Sequence, residues 1–341
     1  MSEHTPPVPR YLELDPIPGD VIVHAPRPRQ RYWLHGLLLV LTIFTTLMVG
    51  TRLELNFLQN KPIFTLGDDF IPLFPISLLV HHPRNLLLGV PFALSLMTIL
   101  LAHEMGHYVM CLRYGVYATL PFFIPAPTLI GTMGAFIRIK SPIRTRTALF
   151  DIGVAGPIAG FVVAMFVLFF GLAMSKPAIP AVVQGGDIVE FGFPWVFRLA
   201  HWLVLGDGTQ ILPLERLLLH PVAIAAWAGM FATALNLLPG GQLDGGHIVY
   251  AVFPRSHGYV SRLTAGVLVP MGIFLWPGWL IWAVLLSVTG MQHPNVPAWP
   301  PLAPGRRALA FIALAMIILT IAPNPIHAQS LLDILRDLVQ R

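Results

Sequence analysis

The chain is 341 residues long, 55% hydrophobic and only 11% charged, with a mean hydropathy of +0.72. Soluble globular domains carry about 25% charged residues, so this composition excludes an ordinary soluble protein and points to the bilayer. A net charge of +5 would suit nucleic acid, but the basic residues sit between long apolar runs, where they act as topology signals, and no nucleic-acid partner is expected.

Residues 1–32 are Pro-rich and polar and read as a flexible cytoplasmic tail. Glu3, Glu13, Asp15 and Asp20 argue against a transit peptide, which would be poor in acids. A span needs about 20 apolar residues to cross hydrocarbon. Candidate spans follow at 33–50, 86–112, 148–174, 221–238 and 308–322. Between the second and third, residues 114–137 are apolar, but Pro121, Pro125, Pro127, Gly131 and Gly134 would break a helix repeatedly. Arg113 and Arg138 bracket this stretch on one side, so it reads as a re-entrant loop or β-hairpin. Such backbone survives at membrane depth only where protein or a water-filled cavity shields its amides.

Residues 263–288 are interrupted by Pro270 and Pro277-Gly278 and form either one kinked span or a helical hairpin. A hairpin keeps Arg306 and Arg307, just before the last span, on the inner side; a kinked span carries them outside. With the hairpin, the inner side receives 13 of the 21 Lys+Arg, as the positive-inside rule favours. The expected fold is therefore an all-α polytopic membrane protein of about seven spans. Its membrane domain covers 33–322, with a core at about 86–290. A tail, 323–341, carries an amphipathic pattern at 331–338 that suits a helix lying on the membrane. The outer loops are too short for a large extra domain. Cys111 is the sole cysteine, so a Cys-rich metal site is excluded.

Chemistry concentrates in two places. His103-Glu104-Met105-Gly106-His107 puts two imidazoles one helical turn apart on nearly the same face. They can hold one Zn²⁺, and Glu104 beside them can accept a proton from an attacking water. Ionisable side chains are costly inside a span, roughly 3 kcal/mol for a charge near its centre, so three together call for a function. Zinc then needs a third protein ligand. The second stretch, Asn236 to His247, follows a span at the same predicted side, and Pro239 and its glycines free the backbone to turn a carboxylate toward a metal. Asp244 is the natural oxygen ligand; the bland alternative is a polar turn capping a helix that begins near Gly246. His247 stays open between a supporting donor and an interfacial residue.

HExxH on one span paired with a distant NxxPxxxLDG, here Asn236, Pro239 and Leu243-Asp244-Gly245, resembles the site-2 protease family of intramembrane metalloproteases. The wider string from His220-Pro221 through Trp227 and Gly229 to Gly246 resembles the branch that includes the EGY-type plastid proteases and bacterial relatives. Gly131 to Ile137 and Gly153 to Gly160 are also similar to family segments. The resemblance covers residues 86–307. It implies one zinc per chain, held by His103, His107 and Asp244, with Glu104 as catalytic base. It further implies that Asn236 holds substrate backbone and that transmembrane proteins are cleaved within or near the bilayer, in regulated intramembrane proteolysis. Gly134, Ala135 and Phe136, on the loop at 121–139, would line the substrate, with the loop's free edge pairing with it as an added strand. Unlike some family members, this sequence is expected to carry no PDZ domain, since no loop is long enough, and no nucleotide-binding domain after its last span.

Other features have plainer readings. His81-His82 reads as an exposed pair, Gly153–Gly160 as a close helix-packing surface, Asp151 as facing polar neighbours, and Trp276, Trp279 and Trp282 as an interfacial belt. A transporter would spread polar residues along several spans, and an inactive relative would lack a ligand or the base; neither fits. A protease of exposed loops would take its third ligand from a Glu. A bacterial plasma membrane is expected, with the N-terminus and the active site toward the cytoplasm. Substrate identity and oligomeric state stay open.

Overall fold

The structure is a computed structural model that describes residues 30–64, 74–178, 190–206, 212–288, 295–297, 302–327 and 331. The amphipathic pattern at 331–338 and nearly all of the tail at 1–32 lie outside these residues. In chain order the helices are α1 (Tyr32–Leu58), α2 (Ile76–His81), α3 (Val90–Arg113), α4 (Arg146–Ala173), α5 (Trp195–Leu205), α6 (Pro221–Asn236), α7 (Asp244–Val252), α8 (His257–Phe274), α9 (Gly278–Val288) and α10 (Pro304–Thr320). A 3₁₀ turn, Pro83–Gly89, leads into α3. Among the described residues three helical stretches, Tyr32–Leu58, Pro83–Arg113 and Arg146–Ala173, are each long and apolar enough to cross a membrane.

α6 sits at the centre. Every residue from Pro221 to Met230 is buried, as expected for a helix that is apolar all round. Its small residues let neighbours approach: a Cβ on Gly229 would lie 2.6 Å from the Ile99 side chain of α3, and one on Gly171 of α4 would lie 2.3 Å from the Ala223 backbone nitrogen. With 16 residues, α6 rises roughly 24 Å, less than hydrocarbon thickness. It stops at Asn236 rather than at 238 because Pro239 disfavours helical backbone before it.

Residues 263–288 form two helices, α8 and α9, joined by a turn at Leu275–Pro277. Gly272 would meet Leu280 at 2.5 Å near that turn, and Gly240 lies near both Ser261 and Leu286, at the other ends of the two helices. The stretch is therefore a hairpin. Total charge does not separate this topology from a kinked span, because Arg336 and Arg341 exchange sides with Arg306 and Arg307. The decisive contact is local. Arg306, opening α10, grips Asp151 at the start of α4 through two hydrogen bonds of 2.8 Å, and Tyr114, just past α3, donates to the same carboxylate. Arg306 thus shares one end of the bundle with Arg113 and Arg146. This is also the polar company expected for Asp151.

Not every element is helical. Strands β1 (Phe122–Pro125) and β2 (Thr132–Phe136) form the anticipated antiparallel hairpin, extended by a bridge between Ala118 and Ile139. A register shift falls between Phe123 and Pro125, opposite Gly134, whose φ of +101° only glycine tolerates easily. The edge of β1 is covered by α1: His35 stacks on Phe122, and the Thr45 hydroxyl donates to the Gly131 carbonyl over 2.6 Å. Two further pairs correct the all-α expectation. β3 (Lys176–Pro177) pairs with β5 (Leu217–Leu218), and β4 (Glu190–Phe191) with β6 (Ile326–His327), at the far end of the bundle. Helix α5 lies in what sequence alone reads as an outer loop; Trp195, Leu199, Trp202 and Leu203 on it are exposed, while Val196, Phe197 and Ala200 are buried. Trp279 departs from the interfacial belt too. It is wholly buried, and its indole donates to the Pro323 carbonyl over 2.7 Å. His81 and His82 are exposed, as expected.

Candidate metal centre

The helical pitch of α3 brings His103 and His107 to one face, and both are buried, as is Glu104. Leu237 to Leu243 turns the chain back after α6, with Gly241 at a φ of +57°, so that α7 starts at Asp244 itself. Leu243 is its cap and makes no side-chain capping bond. The Asp244 carboxylate is therefore free of the capping role that was the bland alternative. Its Oδ2 lies 3.2 Å from His103 Nε2 and 3.2 Å from His107 Nε2.

Within the described residues, these three form a group whose ligand atoms all lie within 4.8 Å of one another. Tetrahedral zinc with bonds near 2.0–2.1 Å has ligand edges of roughly 3.3 Å, so the Nε2 to Oδ2 separations suit that ion. Two imidazoles and one carboxylate also leave a coordination position for water or substrate. The residues present fit a catalytic metal.

The imidazoles are held from behind. His107 Nδ1 is 2.7 Å from the Ile152 carbonyl, which places its proton there and leaves the Nε2 lone pair facing Asp244. Gly156 underlies the same ring: a Cβ there would sit 2.1 Å from His107 Nε2. Gly160 backs His103, where a Cβ would be 3.0 Å from His103 Cβ and 3.1 Å from Nδ1. The Gly153–Gly160 segment is thus a helix-packing surface as expected, and what packs on it is the ligand pair. Sequence reasoning missed this role for Gly156 and Gly160. The spacing of glycines on α4 was the available signal.

Glu104 stands outside the converging trio. The backbone amide of Ile137, just past β2, faces its carboxylate. Asn236 Nδ2 lies 3.3 Å from His103 Nε2. Two cavities meet at these residues. One, about 210 Å³, is lined by the three candidate ligands with Phe136, Ile137, Gln242 and His247. The other, about 100 Å³, is lined by Ile99, Leu100, Met133, Gly134, Ala232 and Trp282. His103, Glu104, Ala135 and Asn236 border both. The candidate catalytic, metal-ligating and substrate-binding residues therefore all border these two cavities. His247 lines it as well, one turn after Asp244.

Residues 91–276, more than half of the chain, match peptidase family M50. The chain belongs to this family. It is 29% identical over 302 residues to a protein of Oryza sativa named probable zinc metalloprotease EGY1, chloroplastic, covering 86% of this chain and 50% of that protein. It is 30% identical over 301 residues to the Arabidopsis thaliana protein of the same name, covering 85% of this chain and 53% of that one. An Arabidopsis protein named probable zinc metalloprotease EGY2, chloroplastic, is 31% identical over 219 residues, which is 64% of this chain and 36% of that protein. The chain spans about half the length of the two EGY1 proteins. All three relatives are plant proteins named as chloroplastic, and they lend no support to the expected bacterial plasma membrane.

Proposed function

We propose that this chain is a zinc metalloendopeptidase that hydrolyses peptide bonds of transmembrane substrates within or near the bilayer, as in regulated intramembrane proteolysis. The observation that carries the reading is the convergence of Asp244 Oδ2 on both imidazoles of the HExxH helix, from 141 residues away in sequence. His103, His107 and Asp244 would hold one zinc. Bound there, it would supply Lewis acidity to a scissile carbonyl and acidify water at neutral pH. Glu104 accepts the proton of the attacking water and returns it to the leaving amine.

A helical substrate hides its peptide bonds in internal hydrogen bonds, so it has to be held unwound. The Ile137 amide already points at Glu104. Along an extended strand alternate residues point their amides to the same edge, which puts the backbone groups of Ala135 on the cleft side as well. Among the described residues that edge of β2 pairs with no strand. It offers an unwound segment a partner, with Asn236 opposite.

His107 and His103 precede Arg113 by six and ten residues, roughly 9 and 15 Å along α3. The centre then lies toward the basic end of a membrane domain of about seven crossings, the end assigned to the cytoplasm together with the N-terminus. Water reaches it through the larger cavity.

The full chain in proteoliposomes, given a single-span substrate, tests the reading. Zinc at about one per chain should be found by elemental mass spectrometry, chelation should stop cleavage, and added zinc should restore it. Cleavage that persists after complete metal removal would exclude the mechanism. Ala135→Pro, which removes the backbone N–H of this edge and puts a ring in its place, is expected to lower cleavage at least about ten-fold with zinc unchanged. Undiminished turnover in that variant would remove the strand from the mechanism.

A further inference from the structure

The two cavities beside Glu104 differ in character along the depth of the bundle. α3 ends at the basic Arg113, and Ile99 and Leu100 lie one turn before His103, away from that end. On α6, Gly229 and Ala232 likewise precede Asn236. The small cavity is therefore the deeper one. Among the described residues its walls are mostly apolar, with Trp282 of α9 closing one side and His103, Glu104 and Asn236 at its mouth. Among the described residues lining it Thr233 alone carries a hydroxyl, which donates to the Gly229 carbonyl over 2.9 Å. The larger cavity, nearer the basic end, brings in Gln242 and His247.

We infer that the small cavity is a specificity pocket, taking a side chain of leucine or isoleucine size from the membrane-embedded side of the cleaved bond. The inference rests on the protease reading above and adds the substrate preference. Three observations carry it. The pocket shares Glu104, His103 and Ala135 with the metal cleft, so a chain lying along β2 passes its mouth. Away from the reacting centre the described side chains that line it are apolar, save the Trp282 indole and the Thr233 hydroxyl already bonded to Gly229, so it favours an apolar side chain. Its volume of about 100 Å³ falls short of the roughly 150 Å³ that accepts a benzene ring, so an aromatic side chain does not enter without widening it. Alanine enters but leaves it unfilled.

The test uses the full chain in proteoliposomes with one transmembrane substrate. The residue on the membrane side of the cleavage point, located by mass spectrometry of the products, is varied through Ala, Leu and Phe. Wild type is expected to prefer Leu over Phe by about ten-fold or more, the discrimination that a few methylene groups in an apolar pocket achieve. Ala232→Leu fills the space and should move the preference to Ala. Trp282→Ala opens the wall and should admit Phe. The two variants press in opposite directions, so if one fails to hold zinc the other decides. An unchanged order of preference in a zinc-loaded variant overturns the pocket while leaving the protease reading intact. Wild type that cleaves none of the substrates in a Glu104-dependent way overturns both.

Discussion

Replacing Glu104 with glutamine is expected to cut peptide hydrolysis by roughly 10²–10⁴-fold, the range that a positioned general base contributes, while zinc stays bound. The split between the two readouts follows from position. Glu104 is adjacent to His103 in sequence but does not belong to the trio that converges on Asp244 Oδ2. Glutamine has nearly the same shape, and its amide oxygen can still face the Ile137 amide. It cannot take a proton from water. Burying a neutral amide also costs less than burying a carboxylate, so folding should not suffer. Zinc content and thermal unfolding of the variant, measured beside its turnover of a single-span substrate, check this. Turnover within a few-fold of wild type would reassign the base. Loss of zinc together with activity would instead make Glu104 a support for the ligands.

The chemistry of the site was legible because hydrophobic chains carry few ionisable groups. Against an apolar background, His103, Glu104, His107 and Asp244 stand out, and the α-helical period fixes how the first three are disposed. The β1–β2 hairpin was legible for a related reason: prolines and glycines at 121–134 forbid a helix and leave few alternatives. What sequence left hidden is pairwise. The glycine spacing on α4 marks a packing face, but nothing along the chain says that Gly156 meets the His107 ring rather than another backbone, or that Arg306 reaches Asp151 across 155 positions. Trp279 belongs to the same class. Aromatic belts and buried tryptophans have the same composition, and only the Pro323 carbonyl at its indole separates them. Helix α5 escaped notice because eleven residues are too few to register as a span, and its half-apolar face is hard to tell from a loop.

Gly156→Ala is expected to weaken zinc binding at the site without unfolding the protein. The added methyl would lie 2.1 Å from His107 Nε2 and 2.4 Å from Cδ2, so the ring must move by on the order of 1 Å, the difference from an ordinary contact. The ring cannot pivot freely, because its Nδ1 is bonded to the Ile152 carbonyl on the same helix that carries the new methyl. Nor can α3 and α4 separate cheaply, since Gly106 already lies against the Ala155 carbonyl, 2.5 Å from where its own Cβ would be. The imidazole therefore tilts away from Asp244, and metal affinity falls by about 10–100-fold or more, as it does when groups orienting a ligand are lost. Helix propensity works the other way: alanine gains α4 up to about 1 kcal/mol over glycine, so the thermal midpoint need not drop. Gly160→Ala is the graded comparison, because its methyl would meet His103 at 3.0 Å and a small shift relieves it. Gly266→Ala on α8, with nothing within 4 Å of its Cβ, should leave zinc and turnover alone. Zinc per chain and cleavage, measured across the three, should fall in the order Gly156, Gly160, Gly266. Full zinc occupancy in Gly156→Ala would mean that His107 has room the packing of α3 on α4 does not provide, and the ring would then not be held by α4.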